Sequence, residues 1–209
     1  MKKIVIFDMD GTLIDSRKDI TISVNYVRQV NHNLPPLSEE EVVSAINKKE
    51  RNLAYIFYGT KTYEERDREL FEKHYHEQCI KHPYLYNGIE EVLRTLKENG
   101  VLMGVATNAP TKFAVRMLEH LGIANLFEKI VGADKAKPKP DPDMIFQILN
   151  ACRYEKGKDR AWMVGDNPKD IEVAQRSGIE AIYATWGFQS EVEWPLKAET
   201  PKDILKIVL

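Results

Sequence analysis

The chain has 209 residues, enough for one or two domains with a sizeable core. Lys and Arg number 30 against 32 Asp and Glu, a formal net charge of −2, and 43% of the residues are hydrophobic. That balance excludes wholesale disorder and gives no support for nucleic-acid binding by bulk charge or for a polybasic membrane surface.

Ile4-Val5-Ile6-Phe7 is a short β-rich apolar run near the start. Asp8 ends it well before the roughly 7–15 apolar residues of a secretory core. No stretch approaches the ~20 apolar residues of a membrane span, so a cytoplasmic protein is expected, with neither a membrane nor a nucleic-acid partner. Only two cysteines, Cys79 and Cys152, occur, which rules out a disulfide scaffold. From 16 to 82 the pattern is charged, aromatic and helical. Ile20, Val24, Val27 and Val30 form one stripe, ended by Pro35-Pro36. Ser38-Glu39-Glu40-Glu41 reads as a capping-box start. Tyr63 to Ile80 predicts a long charged helix. His74, His76, Cys79 and His82 lie in and after it, but their spacing matches no zinc pattern.

Pro83 and Gly88 mark a change of rhythm. Apolar runs at Val101-Leu102-Met103-Gly104-Val105-Ala106, Ile130-Val131, Trp162-Met163-Val164 and Ala181-Ile182-Tyr183-Ala184 predict strands covered on both faces. Between them lie amphipathic stretches. Ile89, Val92, Leu93 and Leu96 stop at Gly100, and Phe113, Val115, Leu118 and Leu121 stop at Gly122. Met144, Ile145, Ile148 and Leu149 form a third, and Ile171 and Ala174 stop at Gly178. The expected fold is α/β: a Rossmann-like parallel sheet core at 1–15 plus 83–209, with an inserted all-helical domain at 16–82.

The first strand runs directly into Asp8-Met9-Asp10-Gly11-Thr12-Leu13. In a parallel sheet the carboxyl ends of the strands form the ligand crevice. A two-residue spacing sends Asp8 and Asp10 to the same side of an extended chain. Two close carboxylates repel unless a cation or a proton relieves them, and Mg²⁺ is the natural cation for an oxygen-only site beside a phosphate. Thr107-Asn108 follows a predicted strand and can hydrogen-bond a phosphate oxygen. Ala136-Lys137-Pro138-Lys139-Pro140-Asp141-Pro142-Asp143 carries two lysines, each before a Pro-x-Pro. Gly165-Asp166-Asn167-Pro168-Lys169-Asp170 follows another strand, and its four-residue gap puts Asp166 and Asp170 on one face if a helix begins at that loop.

This ordered set, from Asp8 to Asp170, resembles the motifs of the haloacid dehalogenase-like hydrolase superfamily. Ala184-Thr185-Trp186-Gly187-Phe188 resembles a segment after the last strand in its phosphoglycolate phosphatase-like members. The resemblance implies a Mg²⁺-dependent phosphatase of small phosphomonoesters, 2-phosphoglycolate among them, working through an aspartyl-phosphate. It assigns Asp8 as nucleophile and Asp10 as general acid and base. Thr107 and Asn108 would bond the phosphate, and the motif lysine would offset its charge. Counting back from Met144-Ile145-Phe146 favours Lys139, with Lys137 as runner-up. Asp8, Asp10, Asp166 and Asp170 would form the metal site, Asp170 alternatively orienting the lysine.

Ninety-six residues separate Asp10 from Thr107, far more than a strand–helix–strand crossover of about 30 needs. Members with such an insertion carry a helical cap over the site. Its basic cluster Lys48, Lys49 and Arg51, at an expected helix start, would contact substrate. The family's glycine-containing turn is missing from Ala45-Ile46-Asn47-Lys48. The partner expected is a small phosphate ester, and the assembly a monomer or homodimer. A sugar-phosphate mutase, a pyrophosphatase or nucleotidase, and a non-catalytic phosphate-binding or receiver-like module remain alternatives.

Overall fold

The structure, a computed structural model, describes residues 1–48, 52–188 and 193–209. In chain order, β1 (Lys3–Phe7) and the short β2 (Ile14–Asp15) precede helices α1 (Arg17–His32), α2 (Glu39–Asn47), α3 (Leu53–Tyr58) and α4 (Glu65–Gln78). Then come β3 (Tyr84–Leu85), α5 (Ile89–Glu98), β4 (Leu102–Thr107), α6 (Thr111–His120) and β5 (Lys129–Gly132). They are followed by α7 (Asp143–Ala151), β6 (Arg160–Gly165), α8 (Pro168–Ser177), β7 (Glu180–Ala184), β8 (Lys197–Ala198) and α9 (Pro201–Val208). The chain divides into two compact units, Met1–Asp15 with Tyr84–Leu209, and Ser16–Pro83.

The first unit is built on a parallel sheet of order β5-β4-β1-β6-β7-β8. β1 pairs with β4 on one side and β6 on the other, so Ile4 faces both Leu102 and Ala161. Its four apolar residues are fully buried, as a strand covered on both faces requires. Ile4 and Ile6 pack with Met144, Ile145 and Ile148 of α7 and Val173 and Ala174 of α8. Phe7 points the other way and meets Phe127 edge-on, ring centres 6.4 Å apart. The chain builds outward from β1 to β5, then returns to build outward from β6. The strand order therefore reverses at β1, where the carboxyl ends open a crevice.

Two-residue strands show no period, so β2, β3 and β8 left no trace in the sequence pattern. β2 and β3 pair antiparallel, and the Tyr84 hydroxyl donates to Asp15 Oδ2 at 2.8 Å. Helix α9 was not singled out either, although Thr200-Pro201-Lys202-Asp203 carries its capping box.

The second unit holds α1 to α4, with Val24, Val27, Val42, Ala45, Phe57 and Tyr58 as its core. Ser38 and Glu41 form the reciprocal cap of α2, at 3.2 and 2.7 Å. The charged helix α4 is shorter than the span 63–80: Glu64 stands at its N-cap and the chain turns after Gln78. Helix α3 is one and a half turns long, too short for a helical stripe to show. Lys48 follows the last turn of α2, and α3 is capped by Asn52, so Lys48 does not begin a helix. Lys49 and Arg51 lie outside the described residues. His74 Nδ1 lies 2.9 Å from Ser23 Oγ and stacks on Tyr26, and His82 Nδ1 lies 2.7 Å from the buried Asp19. These imidazoles serve packing and hydrogen bonding. Among the described residues no helix is long and apolar enough to cross a membrane.

Gly104 of β4 lies under Ile148 of α7. A Cβ there would overlap Ile148 Cγ2 and sit 3.2 Å from the Lys129 carbonyl oxygen. Gly104→Ala is expected to destabilise the protein by about 1–3 kcal/mol, read from the urea midpoint. An unchanged midpoint would show that α7 does not need this close approach.

Candidate active site

Asp8 is the first residue beyond β1, and its backbone N–H still reaches the Val164 carbonyl of β6 at 2.8 Å. Beyond it the chain coils at once. The amides of Thr12, Leu13 and Ile14 all converge on the Met9 carbonyl, at 3.2, 2.9 and 3.1 Å. Gly11 makes the coil possible with φ +90°, and a Cβ there would also collide with the Asp166 carboxylate.

The strand has already ended at Phe7, before Asp8 and Asp10. Among the described residues, the carboxylates that converge within 4.8 Å of one another are Asp8, Asp166 and Asp170; Asp10 is outside the group.

Lys139 is the cation of this cluster. Its ammonium donates to Asp8 Oδ1 at 2.6 Å and to Asp170 Oδ1 at 2.7 Å, with the side chain 4% exposed. Lys137 points elsewhere: its side chain is 77% exposed and lies 4.0 Å from Asp141. Asp166 ends β6. Its Oδ1 accepts the Thr12 hydroxyl at 3.0 Å and its Oδ2 the Phe188 N–H at 2.7 Å. Asp170 sits in the first turn of α8, where its Oδ2 accepts the Asn167 N–H at 3.0 Å in a capping box. Glycines at 165 and 187 let the backbone approach these carboxylates, since a Cβ at either would overlap Asp170 or Asp166. Thr107 ends β4, buried, with its Oγ1 accepting the Ala109 N–H at 3.1 Å. The side-chain amide of Asn108, expected to bond a phosphate, is engaged with both main-chain polar groups of Lys139.

Sequence reasoning missed Thr12, Trp186 and Phe188 as supports of Asp166. The Trp186 indole N–H donates to the Thr12 carbonyl at 3.0 Å, so this tryptophan steadies the loop that carries Thr12. All three stood in recognised motifs, but nothing local reveals a contact between residues 154 positions apart, as Thr12 and Asp166 are.

The electrostatics follow from burial. Desolvation is the main cause that pushes the Asp166 carboxyl up to about 8, with the Asp8 and Asp170 charges adding to it. Asp170 is pushed up to about 6, again chiefly by desolvation, with Lys139 pulling the other way. Burial would lower the Lys139 ammonium, but Asp170 and Asp8 outweigh it and raise it. Among the described residues one ammonium meets the three carboxylates, so full ionisation would leave two negative charges in excess. Oxygen-only donors, convergent and short of positive charge, fit a small hard divalent cation such as Mg²⁺.

The model of the haloacid dehalogenase-like hydrolase family matches residues 5–184, and the chain belongs to this family. A phosphoglycolate phosphatase of Rhodospirillum rubrum is 32% identical over 202 residues, covering 91% of this chain and 83% of its own. An N-acetylmuramic acid 6-phosphate phosphatase of Pseudomonas aeruginosa is 31% identical over 190 residues, covering 89% and 83%. Among solved structures, a predicted phosphoglycolate phosphatase from Haemophilus somnus superposes with a TM-score of 0.84 at 26% identity, covering 100% of this chain and 98% of the other.

A divalent cation held by this cluster would compete with protons for Asp166 and Asp170. With folded values raised above the ordinary 3.8, these carboxyls favour the folded state at low pH, and that contribution is lost as pH rises through about 6 and about 8. Added Mg²⁺ is therefore expected to raise the melting temperature more at pH 8 than at pH 6, by scanning fluorimetry. An equal rise at both would show that the cation does not displace protons from this cluster.

Proposed function

We propose that this chain is a Mg²⁺-dependent hydrolase of small phosphomonoesters that works through a phosphorylated Asp8. The observation that carries the reading is the buried ammonium of Lys139 between Asp8 and Asp170, beside Asp166, at the carboxyl ends of the central strands.

Asp8 is the group best placed as nucleophile. A carboxylate is a recognised covalent nucleophile toward phosphorus. Lys139 fixes Asp8 Oδ1 and leaves the other carboxylate oxygen for attack. That oxygen forms the bond to phosphorus as the ester oxygen leaves. The leaving oxygen needs a proton, and we assign its delivery to Asp10, two residues beyond the nucleophile. In the second half, Asp10 takes a proton from water. The water oxygen bonds to phosphorus, the bond to Asp8 breaks, and inorganic phosphate leaves with the Asp8 carboxylate restored.

Asp8, Asp166 and Asp170 would hold Mg²⁺, which when bound supplies positive charge to the phosphoryl oxygens and to the approaching anions. Lys139 adds the same sign of charge from the protein and keeps Asp8 and Asp170 from repelling each other. Thr107, at the end of β4, is offered as a donor to a phosphoryl oxygen through its hydroxyl. Asn108 has its side chain engaged and has only its backbone to offer a ligand.

The substrates named for the two curated relatives are both phosphate esters of a carboxylic acid. A phosphorylated small carboxylic acid, 2-phosphoglycolate first, is the substrate class we assign. Lys48, Lys49 and Arg51 are not needed for the chemistry above and enter only as candidates for selecting the acid.

The test is phosphate release from 2-phosphoglycolate, N-acetylmuramic acid 6-phosphate, sugar phosphates, nucleoside monophosphates and pyrophosphate, with Mg²⁺ and with a chelator. Preferential Mg²⁺-dependent release from the phosphorylated acids is expected, with kcat in Asp8→Asn down by at least about a thousandfold. Undiminished turnover by Asp8→Asn would overturn the mechanism. Preference for a sugar phosphate or pyrophosphate would overturn the substrate class alone.

A further inference from the structure

Lys139 must place its ammonium within hydrogen-bond reach of two carboxylates, Asp8 just beyond β1 and Asp170 in the first turn of α8, yet its own main chain lies in a loop. That loop, between β5 and α7, contains Pro138, Pro140 and Pro142, three residues without an N–H to anchor it. Its start is stitched to the neighbouring loop after β4. Ala133 N–H reaches the Ala109 carbonyl at 3.2 Å, and Asp134 Oδ1 accepts from both the Thr111 N–H and hydroxyl at 2.6 and 2.7 Å. Further along, Asn108 takes over. The Lys139 N–H donates to Asn108 Oδ1 at 2.8 Å, and Asn108 Nδ2 donates to the Lys139 carbonyl at 3.2 Å. A main-chain N–H can only donate and a carbonyl only accept, so these partners dictate which way the amide faces. Two bonds from one planar group to one residue fix both the position and the tilt of that residue.

We propose that Asn108 is a positioning residue: it acts through Lys139, holding its main chain so that the ammonium spans Asp8 and Asp170, and its side chain does not bind substrate. The kinetic half of this proposal rests on the phosphatase reading, and the structural half does not.

Two measurements test it on Asn108→Ala and on Asn108→Asp, which keeps the acceptor for the Lys139 N–H but loses the donor to its carbonyl. The first is the rate of acetylation of each lysine by acetic anhydride, read by peptide mass spectrometry. Lys137, exposed in the same loop, is the internal reference. Relative to Lys137, Lys139 is expected to react at least about fivefold faster in Asn108→Ala than in the wild type, because the loop then opens locally, with Asn108→Asp in between. Unchanged protection of Lys139 in a folded variant overturns the proposal. If Asn108→Ala does not fold, Asn108→Asp carries the same comparison.

The second is a double-mutant cycle with Lys139→Met. Asn108→Ala alone is expected to lower kcat about tenfold to a hundredfold, as loss of an outer support for a key side chain does, with a smaller change in KM. In the Lys139→Met background the same change should cost less than about twofold, since a residue that acts through another has nothing left to act on. A raised KM with kcat unchanged, or losses that multiply, would overturn the proposal in favour of direct substrate binding. A wild type that releases no phosphate from any ester would refute the phosphatase reading instead, and the acetylation result would still decide the role of Asn108.

Discussion

One ammonium facing three buried carboxylates is the constraint around which this molecule is organised. Lys139 bonds Asp8 and Asp170 directly, and Asp166 completes the cluster without a cation of its own. Removing one partner of a buried ion pair costs about 3–5 kcal/mol, because the other charge is left uncompensated. Here the compensation is incomplete even when every partner is present. Burial first, and the neighbouring negative charges second, raise the proton affinities of Asp166 and Asp170. A fold selected for stability alone would not keep such a cluster, and a site built to receive a cation and a phosphate would.

The sheet explains how such a cluster is assembled. The carboxyl ends of β1, β4 and β6 lie side by side because β1 is hydrogen-bonded to both of the others. Residues from positions 8, 107, 139, 166 and 170 are thereby delivered to one edge. The strands are rigid where they deliver: Ile4 to Phe7 have no exposed surface. The carboxylates are then aimed by partners from neighbouring loops, Thr12 and Phe188 for Asp166 and Asn167 for Asp170. Glycines stand where any side chain would intrude on them.

The helical unit satisfies two buried charged groups in full. Buried Asp19 is met by Gln78 and by His82 through both its backbone N–H and its ring. Buried Arg28 spends its guanidinium on the carbonyls of Pro35 and Phe57. These polar groups are satisfied within the unit, as buried groups ordinarily are.

Much was legible in the linear sequence because the signals were local. Apolar runs marked β1, β4, β6 and β7, glycine stops marked the ends of α5, α6 and α8, and Ser38 with Glu41 announced α2. Asp8, Asp166, Asp170 and the two candidate lysines could be named from strand-end motifs. What failed was also local in cause. Two-residue strands and the short α3 carry no period, and Lys48 stands after a helix rather than at the start of one. By itself, then, the sequence determined the α/β architecture and the chemical types at the site, since these follow from periodicity and from residue chemistry at strand ends. The tertiary structure alone decided which lysine meets the carboxylates and that Asn108 grips Lys139. Those are distances between residues far apart in the chain, and only the folded sheet sets them.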